Sequence, residues 1–214
     1  MWDQAARAYD AERARDSLYM RCVHAARVAI ERAKPERVLD VGCGTGMTTL
    51  PLRRSVRSLF AVDYSRESLR VLQSKAGAPP ISQADICALP FQSGTFDAVL
   101  CANTLQHLTP AERPRAIREL LRVTRHDGML VVTVHHYSRG KRRAGWIKEG
   151  KPGQPGIDYI FRFTVDELQS LFPMFSSVGA IGLQSRLEPL MPFALRRLLA
   201  RKGYGHMLLA TVCL

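Results

Sequence analysis

The sequence lacks the features that mark a zinc-binding, secreted or membrane-spanning protein. Its five cysteines are scattered and form no C-x-x-C pair, so they predict neither a zinc site nor a disulfide framework. No uninterrupted apolar stretch is long enough to cross a bilayer, the first residues are polar, and no internal repeat is present. We therefore expect reduced thiols, no metal site and a cytoplasmic location.

Acidic residues are scarce relative to basic ones. The 214 residues include 31 Lys and Arg but 19 Asp and Glu, which gives a formal net charge of +12. Long-range attraction then favours an anionic partner, such as RNA, an acidic metabolite or an anionic membrane. A basic surface that only keeps the protein soluble is the alternative. Charge alone does not choose among these, and it gives no oligomeric state.

Strand-like and helix-like segments alternate along the chain. Because one core is sufficient at this length, we expect a single domain over residues 1–214, with an N-terminal helical cap over 1–34. Apolar runs predict strands at 36–41, 59–62, 80–84, 96–101 and 128–134, and capped or periodic segments predict helices at 65–73 and 110–123. Such alternation indicates parallel strands joined by helices.

The alternation lapses after residue 134. Residues 135–163 are rich in Gly and Pro and predict a variable loop on the substrate side rather than an element. The loop interleaves basic and aromatic residues, which suits phosphates and flat rings or simply solvent. A helix at 164–172 and strands at 176–183 and 205–214 are expected to follow. Residues 189–202 predict a basic amphipathic helix that packs on the domain or touches anionic lipid.

Three glycines follow the first predicted strand. Gly42, Gly44 and Gly46 lie where a strand turns into a helix, so that backbone can approach a ligand without Cβ collisions. Asp63 ends the second strand about twenty residues later, where an acid reaches the ribose hydroxyls of a nucleoside cofactor. The alternatives are packing for the glycines and a helix cap for Asp63.

The glycine turn also lacks what phosphate-binding turns carry. Its third glycine falls one place earlier than in the dinucleotide fingerprint GxGxxG, and no Lys follows as in a phosphate loop. Asp40 adds negative charge where a phosphate would lie. The turn therefore favours a cationic, phosphate-free nucleoside and argues against a nicotinamide oxidoreductase.

Several separated motifs occur in a fixed order: VLDVGCGTG at 38–46, VDYS at 62–65, ADI and LPF at 84–86 and 89–91, TFDAV at 95–99, and LLRV with DG at 120–123 and 127–128. From about Tyr9 to Val134 this set resembles the class I methyltransferases, particularly the ubiquinone and menaquinone biosynthesis subgroup. His126 and Asp127 replace the usual Pro-Gly, which puts the shape of that turn in doubt. The resemblance implies a Rossmann-like α/β fold, with a mostly parallel sheet, helices on both faces and an antiparallel C-terminal strand.

The same resemblance implies S-adenosylmethionine as the cofactor. The three glycines would pass its methionine part, and Asp63 would hold both ribose hydroxyls. Asp40 would face the ammonium group, directly or through water. Asp85 would accept from the adenine amino group, Ile86 would frame the ring, and Tyr9 would cover the cofactor. The full set of implied cofactor contacts is Tyr9, Asp40, Gly42, Cys43, Gly44, Gly46, Asp63, Tyr64, Asp85, Ile86 and Ala102.

The candidate catalytic residues follow strand ends. Transfer from a sulfonium mainly requires alignment and exclusion of water, so a base is optional. Asn103 and His107 leave the fourth strand beside the expected methyl position, and His135, His136 and Tyr137 leave the fifth. We take Asn103, His107, His135 and Tyr137 as candidates. A cap or a solvent-exposed position is the alternative for the histidines.

Three functions remain open for this resemblance. The first is methylation of a small-molecule biosynthetic intermediate on oxygen, nitrogen or carbon. The second is methylation of tRNA, because Leu89–Val123 also resembles the wobble-uridine methyltransferases and positive charge would neutralise phosphates. The third is a non-catalytic cofactor-binding subunit that activates a partner.

Overall fold

One seven-stranded sheet forms the centre of the protein. The computed structural model describes residue 6 and residues 9–11, 13–136, 146–147, 160–172, 177–181, 192, 194–195 and 207–214. The sheet runs in the order β3-β2-β1-β4-β5-β9-β8. Its strands are β1 (Arg37–Val41), β2 (Ser58–Asp63), β3 (Ile81–Gln83), β4 (Phe96–Ala102), β5 (Thr124–His135), β8 (Ser177–Ile181) and β9 (Met207–Cys213).

The strand directions confirm the predicted fold. Strands β3, β2, β1, β4 and β5 pair in parallel, whereas β9 pairs antiparallel with both β5 and β8. The chain order reverses between β1 and β4, which are neighbours. In open α/β sheets, ligands bind at such a point, outside the carboxyl ends of the strands.

Helices cover the sheet. They are α1 (Ser17–Ala33), α2 (Thr49–Arg53), α3 (Arg66–Gln73), α4 (Arg113–Val123) and α5 (Val165–Ser170), with a 3-10 turn at Leu105–His107. Residues 6, 9–11 and 13 of the predicted N-terminal cap are also helical. Among the helices of the described residues, none has the length and apolarity of a membrane span.

Local capping explains where two helices begin. The Ser65 hydroxyl accepts from the Ser68 N–H at 3.0 Å, as the sequence predicts for the start of α3. Thr164 and Glu167 form a reciprocal capping box at the start of α5. Ser65, rather than Asp63, is therefore the cap of α3.

The core lies on both faces of the sheet because successive strand side chains point to opposite sides. Leu39 and Val99 belong to a cluster with α4 and α5, whereas Val38 and Leu100 join Ile30 of α1 in a second cluster. Both faces of these strands are thus covered, as their continuous apolar runs predict.

The prediction that a helix begins at Pro110 was wrong, because α4 begins at Arg113. Thr109 and Glu112 form a capping box around the first turn, with the Thr109 N–H donating to Glu112 Oε2 at 2.7 Å. Pro114 has no N–H to donate to the Pro110 carbonyl, so the regular hydrogen bonding starts later.

The fifth strand also differs from its predicted bounds of 128–134. It begins at Thr124, opposite Phe96, and a register shift then sets Met129 opposite Ala98. A Cβ on Gly128 would lie 2.8 Å from the carbonyl oxygens of Arg125 and Asp97. The irregular residues between Thr124 and Met129 therefore require glycine at 128 for close packing.

The prediction that residues 135–163 contain no element was wrong in part. Strands β6 (Trp146–Ile147) and β7 (Ile160–Phe161) pair antiparallel within it. The Arg113 guanidinium lies over the rings of Phe161 and Phe163, at 3.8 and 5.1 Å from their centroids. Residues 137–145 and 148–159 of the loop, and most of the predicted helix at 189–202, lie outside the described residues.

Candidate functional site

A cavity of about 360 Å³ opens at the carboxyl ends of β1, β2 and β4. Its volume lies within the range of roughly 300 to 1,000 Å³ that small-molecule sites occupy. Of the eleven predicted cofactor contacts, ten line this cavity, and Gly46 does not. The candidate catalytic residues Asn103 and His107 line it as well.

The glycines of the turn have different structural reasons. All three have left-handed φ values, +74° for Gly42, +53° for Gly44 and +92° for Gly46. A Cβ on Gly42 would lie 2.1 Å from Thr104 Oγ1, and one on Gly46 would lie 2.4 Å from a Leu72 methyl carbon. No atom lies within 4 Å of a Cβ built on Gly44. Gly44 is thus the glycine with open space before it, whereas Gly46 permits close packing of α3.

Asp63 connects the turn to the end of β2. Its Oδ2 accepts from the Gly44 N–H at 2.7 Å, and its Oδ1 accepts from the Ser65 N–H at 2.8 Å. A carboxylate has about four acceptor positions, and these two bonds occupy two of them. Asp63 thus holds the glycine turn at a position where it also lines the cavity.

Asp40 is a buried carboxyl group in the cavity wall. It is 1% exposed, and its Oδ2 accepts from the Thr49 hydroxyl at 2.7 Å. The pKa of this carboxyl group is raised to about 7, mainly by burial. The Thr49 hydrogen bond opposes the shift, and the negative charge of Asp63 adds to it. Among the described residues, no Lys or Arg lines the cavity. The wall therefore has the charge that suits a cation.

Asp85 and Ile86 form the end of the cavity beyond β3. Asp85 Oδ1 accepts from the Cys87 N–H at 2.8 Å, which fixes the turn, and Ile86 is buried in the core. Tyr64 lies at the rim with 70% of its side chain exposed. Burial raises the pKa of the Cys43 thiol well above its usual value, so this lining residue stays protonated.

The N-terminal segment closes the cavity from the side of the glycine turn. The Tyr9 and Tyr19 hydroxyls lie 3.4 Å apart, and both rings line the cavity. Asp10 accepts from the Thr45 hydroxyl and from the Lys75 ammonium, and Lys75 also donates to the Thr45 carbonyl at 2.6 Å. These bonds join the predicted N-terminal cap to the glycine turn.

The candidate catalytic residues do not all meet. Asn103 has a left-handed φ of +56°, and its N–H donates to the Thr133 carbonyl at 2.9 Å. His107 shares the cavity with it, whereas His135 is not among the lining residues. His136 is buried with its Nδ1 2.7 Å from the Phe163 carbonyl oxygen, which indicates a structural position. Tyr137 lies outside the described residues.

Residues 39–132 match a family model described as a methyltransferase domain. This range begins in β1 and ends in β5, and it contains the glycine turn, Asp63, Asp85 and His107. This match covers less than half of the chain, so it shows a similarity to methyltransferase domains over residues 39–132 alone.

Known relatives agree with this family. Demethylmenaquinone methyltransferase from Renibacterium salmoninarum is 35% identical over 104 residues, which are 49% of this chain and 43% of that protein. The chain thus spans less than half the length of that relative.

Solved structures share the fold over nearly the whole chain. An S-adenosylmethionine-dependent methyltransferase from Clostridium acetobutylicum aligns with a TM-score of 0.69 at 14% identity, over 100% of this chain and 98% of that one. The 1,6-didemethyltoxoflavin-N1-methyltransferase from Burkholderia thailandensis, solved with S-adenosylhomocysteine, has a TM-score of 0.68 at 17% identity, over 98% and 83%.

Sequence reasoning missed several residues of the cavity. Tyr19, Thr48 and Thr104 line it but lie in no motif that singles them out. Asp10 meets Thr45 and Lys75 across 35 and 65 residues of sequence. Such residues come together because β1 lies between β2 and β4 in the sheet, and because the N-terminal segment contacts the glycine turn.

Proposed function

We propose that this methyltransferase transfers a methyl group from S-adenosylmethionine to a small-molecule biosynthetic intermediate. The observation that carries the proposal is Asp40, a buried carboxyl group in a cavity wall where the described residues include no Lys or Arg. Burying a charge without a partner costs free energy, so the wall is suited to a ligand that brings positive charge. S-adenosylmethionine carries a sulfonium and an ammonium group.

The residues of the cavity fit the parts of this cofactor. Asp63 would accept from the ribose hydroxyls while it keeps its bonds to the turn, and Asp40 would face the ammonium group, directly or through water. Gly44 would leave room for the methionine part. It lines the cavity, and the space that a Cβ would fill there is open. Asp85 and Ile86 would frame the adenine, and Tyr9 would cover it.

The bound cofactor supplies an activated methyl group with a good leaving group. What remains for the chain is alignment of the acceptor and exclusion of water. Asn103 and His107 are the candidate catalytic residues that line the cavity beside the cofactor wall. We propose that they orient the acceptor, and that His135 does not touch it.

Two features support a small acceptor. The cavity is enclosed on one side by Tyr9 and Tyr19, and its described lining carries acidic side chains but no Lys or Arg. The relative named above acts on demethylmenaquinone, and the structural neighbour on 1,6-didemethyltoxoflavin, as their names state. A neutral, flat acceptor is therefore the first class to test.

The net charge of +12 favours tRNA as a second candidate acceptor. The basic surface, rather than the cavity wall, would then bind phosphates. Retention of the protein on immobilised RNA that weakens steeply with added salt would support this candidate, whereas retention that is weak at low salt would argue against it.

Calorimetric titration with S-adenosylmethionine tests the cofactor site. Asp40→Asn keeps an acceptor for Thr49 but removes the charge, and we expect about tenfold weaker binding because a charged hydrogen bond contributes roughly 1.5 kcal/mol. Glu36→Gln, at the opposite end of β1, is the matched control and should bind as the unchanged protein does. Equal affinity in all three would contradict the proposed role of Asp40.

Incubation with a tritiated methyl donor tests the reaction itself. We expect label to enter a low-molecular-weight fraction of host metabolites and to be absent from RNA. Label in tRNA would favour the second candidate. Tight cofactor binding with no label in any fraction would instead favour a non-catalytic subunit that activates a partner.

A further inference from the structure

Gln106 lies between the fifth strand and the candidate catalytic histidine. It is 1% exposed and belongs to the 3-10 turn Leu105–His107, directly after the end of β4. Its Oε1 accepts from the His135 N–H at 2.8 Å. Because a backbone N–H only donates, the carboxamide has one orientation, with its oxygen toward His135 and its nitrogen on the other side.

The carboxamide nitrogen of Gln106 lies 3.4 Å from His107 Nε2. An amide nitrogen carries two hydrogens and accepts no hydrogen bond, so the imidazole nitrogen that faces it must be the acceptor. In a neutral imidazole, one nitrogen accepts while the other carries the hydrogen. The contact with the Gln106 carboxamide nitrogen therefore decides which imidazole nitrogen of His107 carries the hydrogen.

From this we infer that Gln106 is a positioning residue that fixes His107 as the neutral tautomer with its hydrogen on Nδ1. The inference rests on the proposed function, in which His107 orients the acceptor. The His135 N–H of β5 fixes the orientation of the Gln106 carboxamide. Gln106 in turn decides which nitrogen of His107 carries the hydrogen.

This arrangement restricts what His107 does in methyl transfer. Its one available lone pair, on Nε2, is engaged by Gln106, so no proton passes from the acceptor to His107 while that bond stands. The acceptor then attacks with a lone pair that it already carries, or loses its proton to another group. In this arrangement His107 does not serve as the base of the transfer.

Nuclear magnetic resonance of the full chain, labelled with ¹⁵N-histidine, tests the tautomer directly. Long-range ¹H–¹⁵N correlations at pH 8 distinguish the Nδ1–H from the Nε2–H form, and the His107 signals are assigned by their loss in His107→Asn. We expect the Nδ1–H pattern for His107. An Nε2–H pattern, or an even mixture of the two, would overturn the inference.

Two substitutions test whether Gln106 is the cause. In Gln106→Glu both oxygens accept, one from the His135 N–H and one from His107 Nε2–H, so the correlation pattern should reverse. In Gln106→Met neither bond forms, and the pattern should become a mixture. A pattern identical to that of the unchanged protein in the folded variants would also overturn the inference. If Gln106→Glu does not fold, the unchanged protein and Gln106→Met still decide the outcome.

Titration of the same samples with S-adenosylmethionine separates this inference from the proposed function. If the Nδ1–H pattern is present but the cofactor does not bind, the proposed function fails and the tautomer assignment stands. If the cofactor binds but His107 has the Nε2–H pattern, the assignment fails alone.

Discussion

The carboxylates at the two ends of the sheet have different bonding partners. At the amino ends of the strands, Asp97 accepts from the N–H groups of Glu36 and Arg37, at 3.0 and 2.8 Å, and lies 2.7 Å from Arg125 Nη1. Arg125 also pairs with Asp127, and this hydrogen bond lowers the pKa of Asp127. These charges are balanced within the chain, which marks them as structural.

At the carboxyl ends of the strands, the carboxyl groups of Asp63 and Asp40 accept from uncharged donors. Asp63 accepts from the uncharged N–H groups of Gly44 and Ser65, and Asp40 accepts from the Thr49 hydroxyl. The raised pKa of Asp40, about 7, results mainly from burial. The ion-paired carboxylates at the amino ends join neighbouring strands. Among the described residues, the cavity wall contains the buried Asp40 and no Lys or Arg, which suits a cationic ligand.

Asp63→Ala should produce the largest effect on the ligand end. Two charged hydrogen bonds to ribose hydroxyls, at roughly 1.5 kcal/mol each, correspond to about hundredfold weaker binding of S-adenosylmethionine. The loss of the bonds to Gly44 and Ser65 adds to the effect because the turn is less well held. Calorimetry measures it, and unchanged affinity would exclude the ribose assignment.

Asp97→Ala should act on stability instead of binding. It removes two bonds to backbone and one ion pair between β1, β4 and β5, so we expect the free energy of unfolding to fall by about 2 kcal/mol. Urea denaturation measures this change. The folded variant should bind the cofactor with unaltered affinity, and a binding defect as large as that of Asp63→Ala would break the contrast between the two ends.

Cofactor affinity should depend on pH through Asp40. Since its pKa is near 7 in the protein without ligand, the carboxyl group is mostly protonated at pH 6, and binding of a cation should be about fourfold weaker there than at pH 7.5. Asp40→Asn should abolish this dependence. A steep dependence that survives the substitution would assign it to another group.

The same group gives a stability prediction of defined sign. Between the ordinary carboxyl pKa of about 4 and about 7, the native state binds more protons than the unfolded state, so the stability of the ligand-free protein should fall as pH rises through that window. Thermal unfolding of the unchanged protein and of Asp40→Asn, compared at pH 5 and pH 7.5, measures this slope.

Asp10→Asn should have the smallest effect. It weakens the bonds from Lys75 and Thr45 that join the N-terminal segment to the glycine turn, and partly exposed ion pairs contribute under about 1 kcal/mol. We expect about threefold weaker cofactor binding by calorimetry. Asp16→Asn, in the same segment, is the control because Asp16 accepts from the Tyr19 N–H within that segment, and an equal effect there would argue against the Asp10 contact.

Local signals predicted most elements, and they singled out Gly42, Gly44 and Asp63, which line the cavity. The alternation of apolar runs predicts β1, β2 and β4, and hydroxyl caps at Ser65 and Thr164 predict the starts of α3 and α5. The local signals gave the wrong start for α4, where two prolines lie close together. Pro110 is typical of a helix start, but Pro114, four residues later, delays the regular hydrogen bonding.

The sequence by itself determined the glycine turn and the acid at the end of β2, because each of those features depends on residues close together along one strand and the turn that follows it. Tertiary structure alone decided that Gly42 packs against Thr104, that Asp10 reaches Lys75, and that Gln106 lies between His135 and His107. These contacts join segments that are 29 to 65 residues apart in three of the four cases, and their geometry follows from the order of strands in the sheet, which no local pattern specifies.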